Sequence, residues 1–158
     1  MRNAPNIPLL SSDKKPVLEY IDLDLELTFI DALVSAGFPS PALDYKEEPL
    51  NLGDLLITNR AATYTMRVNG NSMEDANLFD GDFLIIDRSI TPQDGLMAVC
   101  YLDGCFVVKT IRRIKNQLFL LSENPAYKPI EISEFNDLTI WGIVTWIVHK
   151  ALIRRLGK

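Results

Sequence analysis

The sequence predicts a mainly β domain, folded over or barrel-like, with one short helical turn and an extended N-terminal arm. Three observations carry that expectation. From about residue 50 onward, short apolar runs such as Phe83-Leu84-Ile85-Ile86-Asp87 and Cys105-Phe106-Val107-Val108 are separated by turn pairs, among them Asp94-Gly95, Asp103-Gly104 and Asn124-Pro125. Several runs are apolar at every position, as in strands covered on both faces. Upstream, Gly37, Pro39 and Pro41 set off a shorter segment that cannot form a domain alone.

Residues 1–15 are polar, contain Pro5 and Pro8 and show no periodicity, so they read as a tail that is disordered or ordered by a partner. Residues 16–35 fit two patterns. Val17, Tyr20 or Ile21, Leu25, Phe29 and Leu33 form a ragged helical stripe, while 20–27 alternates like a strand. The expectation here is a strand up to Leu27, then a short helix through Val34. A helical turn follows over 51–57, a strand over 62–68 and another helical turn over 73–78. Further strands are expected at 83–87, 96–102, 105–114, 118–122 and 139–149, with a turn at Asn116-Gln117.

With 158 residues and 47% hydrophobic content, the chain suffices for one compact domain plus an arm. A formal charge of -5 argues against a free-standing DNA-binding module, since phosphate neutralisation needs a basic surface. No sequence-specific DNA contact is expected. Nor is a membrane span, because no apolar stretch reaches about 18 residues, and the N-terminus lacks a secretory apolar region. The expected location is the cytoplasm.

If Asp103-Gly104 is a two-residue hairpin turn, Leu102 faces Cys105 and Cys100 faces Val107, leaving the two cysteines as diagonal neighbours. That separation, about 7 Å, is too long for a disulfide, so both are read as free packing residues. Phosphate-binding Gly-rich loops, His-Glu-x-x-His and Cys/His clusters are absent from the sequence, so no metal or cofactor is expected.

The chemistry-bearing residues are few. Ser72 stands in Gly70-Asn71-Ser72-Met73, where Gly70 allows close backbone approach and successive N–H groups can face an oxyanion. An ordinary turn with Ser72 as a helix cap is the plainer reading. Lys109 is the single charge within 105–111. Buried, it serves as a general base, because desolvation disfavours the ammonium form; on an edge strand, it merely blunts aggregation. The strand pattern leaves those two readings open. His149, the only histidine, sits at the end of the last strand and reads as structural or exposed. Upstream, Ala36-Gly37 is a small-residue bond in a stretch that Gly and Pro keep extended and accessible.

Several stretches, in one order, resemble the UmuD family of LexA-type (S24) serine peptidases: Ala36-Gly37-Phe38-Pro39-Ser40-Pro41-Ala42, Val68-Asn69-Gly70-Asn71-Ser72-Met73, Phe79-Asp80-Gly81-Asp82-Phe83, Phe106-Val107-Val108-Lys109, Glu123-Asn124-Pro125-Ala126-Tyr127 and Trp141-Gly142-Ile143-Val144-Thr145. The resemblance spans roughly residues 29–149. It implies a LexA/UmuD-like β fold, Ser72 as nucleophile, Lys109 as base, backbone N–H groups of Asn71 and Ser72 as oxyanion hole, and Ala36-Gly37 as the bond cut. Residues 1–36 would then be an arm removed by self-cleavage, and 37–158 the peptidase-like domain. It further implies a homodimer, stimulation by a RecA filament on single-stranded DNA, and service to a UmuC-like Y-family translesion polymerase in the DNA-damage (SOS) response.

Three departures stand out: Ala36-Gly37 replaces the Cys-Gly common in UmuD proteins, the segment through about Lys15 is longer than usual for them, and the basic, amphipathic 151–158 has no counterpart, reading as a frayed end or a partner contact. With no helix-turn-helix before the cleavage segment, a repressor is not expected. An interaction module with a silent dyad is the competing expectation. A signal-peptidase relative is disfavoured by the missing membrane anchor.

Overall fold

The computed structural model describes residues 26–31 and 46–151. Strands dominate, as the sequence predicts. β1 (Glu26–Asp31) pairs antiparallel with β2 (Lys46–Asn51) as a separate two-stranded ribbon. A seven-stranded sheet holds the rest, in the order β3-β4-β9-β5-β6-β7-β8. Its strands are β3 (Thr63–Arg67), β4 (Phe83–Asp87), β5 (Met97–Leu102), β6 (Cys105–Ile114), β7 (Gln117–Leu121), β8 (Ile130–Ile132) and β9 (Leu138–Val148), and every pairing is antiparallel.

Local chemistry explains most boundaries. Asn51 caps the single turn of α1 (Leu52–Leu56), its side-chain oxygen accepting the Asp54 N–H at 3.2 Å. A 3₁₀ turn, Glu74–Ala76, ends where Asn77 adopts φ 58°, a left-handed conformation that asparagine tolerates. At Asp103-Gly104 both φ values are positive, 46° and 90°, as a hairpin turn between right-twisted strands requires. Leu102 faces Cys105 and Cys100 faces Val107, the register read from the sequence.

Three expectations need correction, and β2 was not expected. Residues 28–31 continue β1 rather than open a helix, because Thr28, Phe29 and Ile30 favour extended backbone and β2 lies alongside to pair with them; residues 32–34 fall outside the described residues. β2 itself, Lys-Glu-Glu-Pro-Leu-Asn, carries no strand pattern. The β6–β7 turn is Lys115-Asn116, Gln117 having already joined β7 opposite Ile114. Finally, Cys100 is buried but Cys105 is exposed, so only Cys100 packs; both are free.

β9 runs through the middle of the sheet and shifts register twice, between Ile85 and Ile86 on β4 and between Val99 and Cys100 on β5. Such bulges sharpen the twist and fold the sheet over. One apolar cluster holds Ala98, Cys100, Leu102, Ile111, Leu120 and Ile143. Another holds Met73, Leu78, Leu84, Ile86 and Val99. Val99 and its neighbours Ala98 and Cys100 thus serve different cores, as alternation across a strand demands. Gly142 of β9 packs tightly against the neighbouring strand β4. A Cβ there would stand 2.6 Å from Cγ2 of fully buried Ile86, a branched side chain with no room to turn. Gly142→Ala is therefore expected to lower the unfolding free energy by about 1–3 kcal/mol, read from a shifted denaturant midpoint; an unchanged midpoint contradicts this close packing.

Candidate active site

Ser72 lies in the connection between β3 and β4, and its neighbours on both sides are fixed. Gly70 adopts φ +102°, a conformation open to glycine but strained for other residues, and its N–H donates to Asp80 Oδ1 at 2.8 Å. Asp82, almost fully buried, accepts the Phe79 N–H at 2.9 Å. The Val68 N–H donates to the Asp82 carbonyl at 2.8 Å, and the Gly81 N–H to the Val68 carbonyl at 2.9 Å. After the serine, Met73 is 2% exposed and anchors the turn in the core.

A second brace comes from the loop between β7 and β8. Asn124 Nδ2 donates to the Asn71 carbonyl at 2.8 Å, and the Tyr127 hydroxyl donates to Asn71 Oδ1 at 2.6 Å. The Asp75 N–H donates to the Glu123 carbonyl at 2.9 Å. These bonds leave the Ser72 turn little freedom. As sequence, 124–125 is a plain turn, and Asp80, Asp82, Asn124 and Tyr127 carry no sign of a role. Local pattern gives no sign that residues over 50 positions apart meet.

Lys109 comes from β6, opposite Ala98 of β5. With β5 on one side and β7 on the other, β6 is an interior strand, so the edge-strand reading of Lys109 is set aside. The side chain is 7% exposed, and its Nζ donates to Ser72 Oγ at 2.8 Å. Burial holds the Lys109 pKa below the ordinary lysine value; a Cys100 thiolate would act in the opposite sense. That opposition is absent near neutrality, because burial pushes the Cys100 thiol up to about 11 despite the nearby lysine. Around the pair lies a cleft walled by Met66, Val68, Leu84, Val99 and Phe106. A hydroxyl and a depressed-pKa amine in contact in such a cleft can pass a proton between them and generate an alkoxide.

The structure thus brings together Asn71, Ser72 and Lys109. His149 is exposed and borders another cleft, with Glu74 and Asp80, its ring 6.4 Å from that of Phe79. Ala36 and Gly37 lie outside the described residues, in the stretch joining β1 to β2. Among the described residues no His, Cys, Asp and Glu group is arranged to hold a metal ion, and no helix is long and apolar enough to cross a membrane.

Residues 28–145 match the family described as Peptidase S24-like. The chain is 41% identical over 115 residues to Protein SamA of Salmonella typhimurium, covering 73% of this chain and 79% of that protein. To Protein MucA of Escherichia coli it is 39% identical over 124 residues, covering 77% and 84%. It is also 40% identical over 119 residues to the LexA repressor of Acidithiobacillus ferrooxidans, covering 73% of this chain but 58% of the repressor.

Proposed function

The chain belongs to the Peptidase S24-like family as a UmuD-like member, and from that premise we propose that it is a serine endopeptidase that cuts its own Ala36-Gly37 bond. The observation that carries this reading is the 2.8 Å contact between Lys109 Nζ and Ser72 Oγ on a buried lysine. Neutral Lys109 takes the Ser72 proton, and Oγ attacks the Ala36 carbonyl carbon. Main-chain N–H groups of Asn71 and Ser72 receive the developing oxyanion. The Lys109 ammonium then returns the proton to the Gly37 nitrogen as the peptide bond breaks, leaving Ala36 esterified to Ser72. Water, deprotonated by Lys109, hydrolyses that ester and frees residues 1–36 from 37–158.

The β1–β2 ribbon suits this task, because residues 32–45, which contain the bond, form the connection between its strands. The bond is tethered to β2 through residues 37–45, which reach up to about 30 Å when extended. The retained domain serves a UmuC-like Y-family translesion polymerase in the cytoplasmic SOS response. A RecA filament on single-stranded DNA stimulates the cut by favouring the conformer that seats the bond against Ser72. The test is intact mass with and without activated RecA: products with the filament support the reading, and an intact chain in both arms favours an interaction module with a silent dyad.

Without a coprotease, cleavage is expected to accelerate as pH rises from 7 toward 10. Only neutral Lys109 accepts the proton, and its fraction grows with pH until it saturates above the lysine pKa. Because burial depresses that pKa, the plateau arrives at lower pH than for an exposed lysine. A rate that falls across this range while circular dichroism shows a folded chain contradicts lysine as the base.

A further inference from the structure

Four aromatic rings form a row across the seven-stranded sheet. Tyr64 of β3 meets Trp141 of β9 with ring centroids 5.1 Å apart, Trp141 meets Phe106 of β6 at 5.9 Å, and Phe106 meets Tyr101 of β5 at 5.3 Å, each pair edge to face. Arg88, just past the end of β4, locks the row. Its guanidinium lies 5.6 Å from the Tyr64 ring and 4.9 Å from that of Trp141, and its Nε donates to the Trp141 carbonyl at 3.1 Å. Trp141 packs partly on the Met73 core, but Tyr64 and Phe106 remain 43% and 44% exposed. Rings already held at fixed spacing lose little freedom when they are covered, so an exposed row of them is suited to binding.

Position indicates the occupant. Phe106 also walls the cleft that holds Ser72 and Lys109, so the row is continuous with the candidate active site. For Ser72 to attack the Ala36 carbonyl, Gly37 has to stand at that cleft, and the four residues after it then lie within about 15 Å. Those residues, Phe38-Pro39-Ser40-Pro41, are outside the described residues, but their chemistry is plain from the sequence. Each residue before a proline is steered to extended or polyproline backbone, which advances about 6–7 Å every two residues, close to the 5.1 and 5.9 Å ring spacings. Aromatic-lined surfaces bind such proline-containing strips. On the acyl side, Leu33-Val34-Ser35 offers no ring to match. We propose that Tyr64, Trp141 and Phe106 are the docking surface for Phe38–Pro41, fixing the leaving side of the bond against the cleft. This rests on the proposed self-cleavage and adds to it the surface that selects the segment to be cut.

The test reads docking apart from cutting. In a full-length Ser72→Ala chain, Phe38→Ala, Pro39→Ala and Pro41→Ala remove the chain's own occupant, and a peptide of residues 37–43 with a C-terminal fluorescein is added. It is expected to bind saturably by anisotropy, and at least tenfold more weakly after Tyr64→Ala or Phe106→Ala, two half-exposed rings whose loss the fold tolerates. Binding should also weaken on the Ser72→Ala chain that keeps its own Phe38–Pro41, because that segment competes. In the native chain, Tyr64→Ala should slow cutting about tenfold with the shape of the pH–rate profile unchanged, since Lys109 is untouched, and Tyr64→Phe should restore the rate. No cutting in the native chain would remove the self-cleavage reading, while the peptide titrations still decide the surface. Peptide binding indifferent to Tyr64 and Phe106, equal binding with and without the chain's own segment, or a peptide of residues 31–36 that depends on the rings as strongly would each overturn the inference.

Discussion

Ser72→Ala and Lys109→Ala are each expected to reduce self-cleavage by roughly a thousandfold or more while leaving the circular dichroism spectrum unchanged. Either change removes half of a unit whose members act only together, so the double variant should be scarcely worse than either single one. Lys109→Arg tests the chemistry more sharply. A guanidinium keeps its charge throughout the accessible pH range, so it preserves the cation but supplies no base. Activity in Lys109→Arg would mean that the 2.8 Å contact positions Ser72 without deprotonating it. Folding should survive all three, because the turn is also held through Gly70, Asn71 and Met73.

Comparable losses are expected at the bond itself. Ala36→Trp places a large ring where the acyl group has to approach the Ser72 turn, and Gly37→Val restricts the backbone on the leaving side. Both should block processing without moving the melting temperature, since these residues belong to the connection between β1 and β2 and not to the seven-stranded sheet. The natural product should begin at Gly37. A different new N-terminus, or normal cutting of Ala36→Trp, would place the scissile bond elsewhere.

How much of this was legible in the sequence depended on how local each cause is. β4 and β6 were found at their observed bounds because apolar runs and neighbouring turn residues specify them within a few positions. The Asp103-Gly104 turn even set the cysteine register correctly. β2 was missed because Lys46, Glu47, Glu48 and Pro49 carry no strand pattern; pairing with a segment some 20 residues earlier makes them extended. β8, three residues long, has the same explanation in its pairing with β7. The ragged stripe through 28–31 fits two periods, and only the partner strand decides between them.

The site divides in the same way. Gly70 and Ser72 are visible as a turn, and Lys109 as an isolated charge, but nothing in their spacing shows that they touch; the family resemblance supplied that pairing. The edge-strand alternative for Lys109 depended on strand order, which puts β6 between β5 and β7. Asn124 and Tyr127 hold Asn71 from a distant loop, and nothing in their own stretch of sequence shows it. Tertiary bracing of this kind has no one-dimensional signature.

The most direct measurement is a mass-spectrometric time course of the purified chain and its Ser72→Ala variant at pH about 9, where more of the lysine is neutral than at pH 7. The account predicts two products from the native chain, matching residues 1–36 and 37–158, and an intact Ser72→Ala chain at every time point. Identical time courses for the two proteins would contradict it.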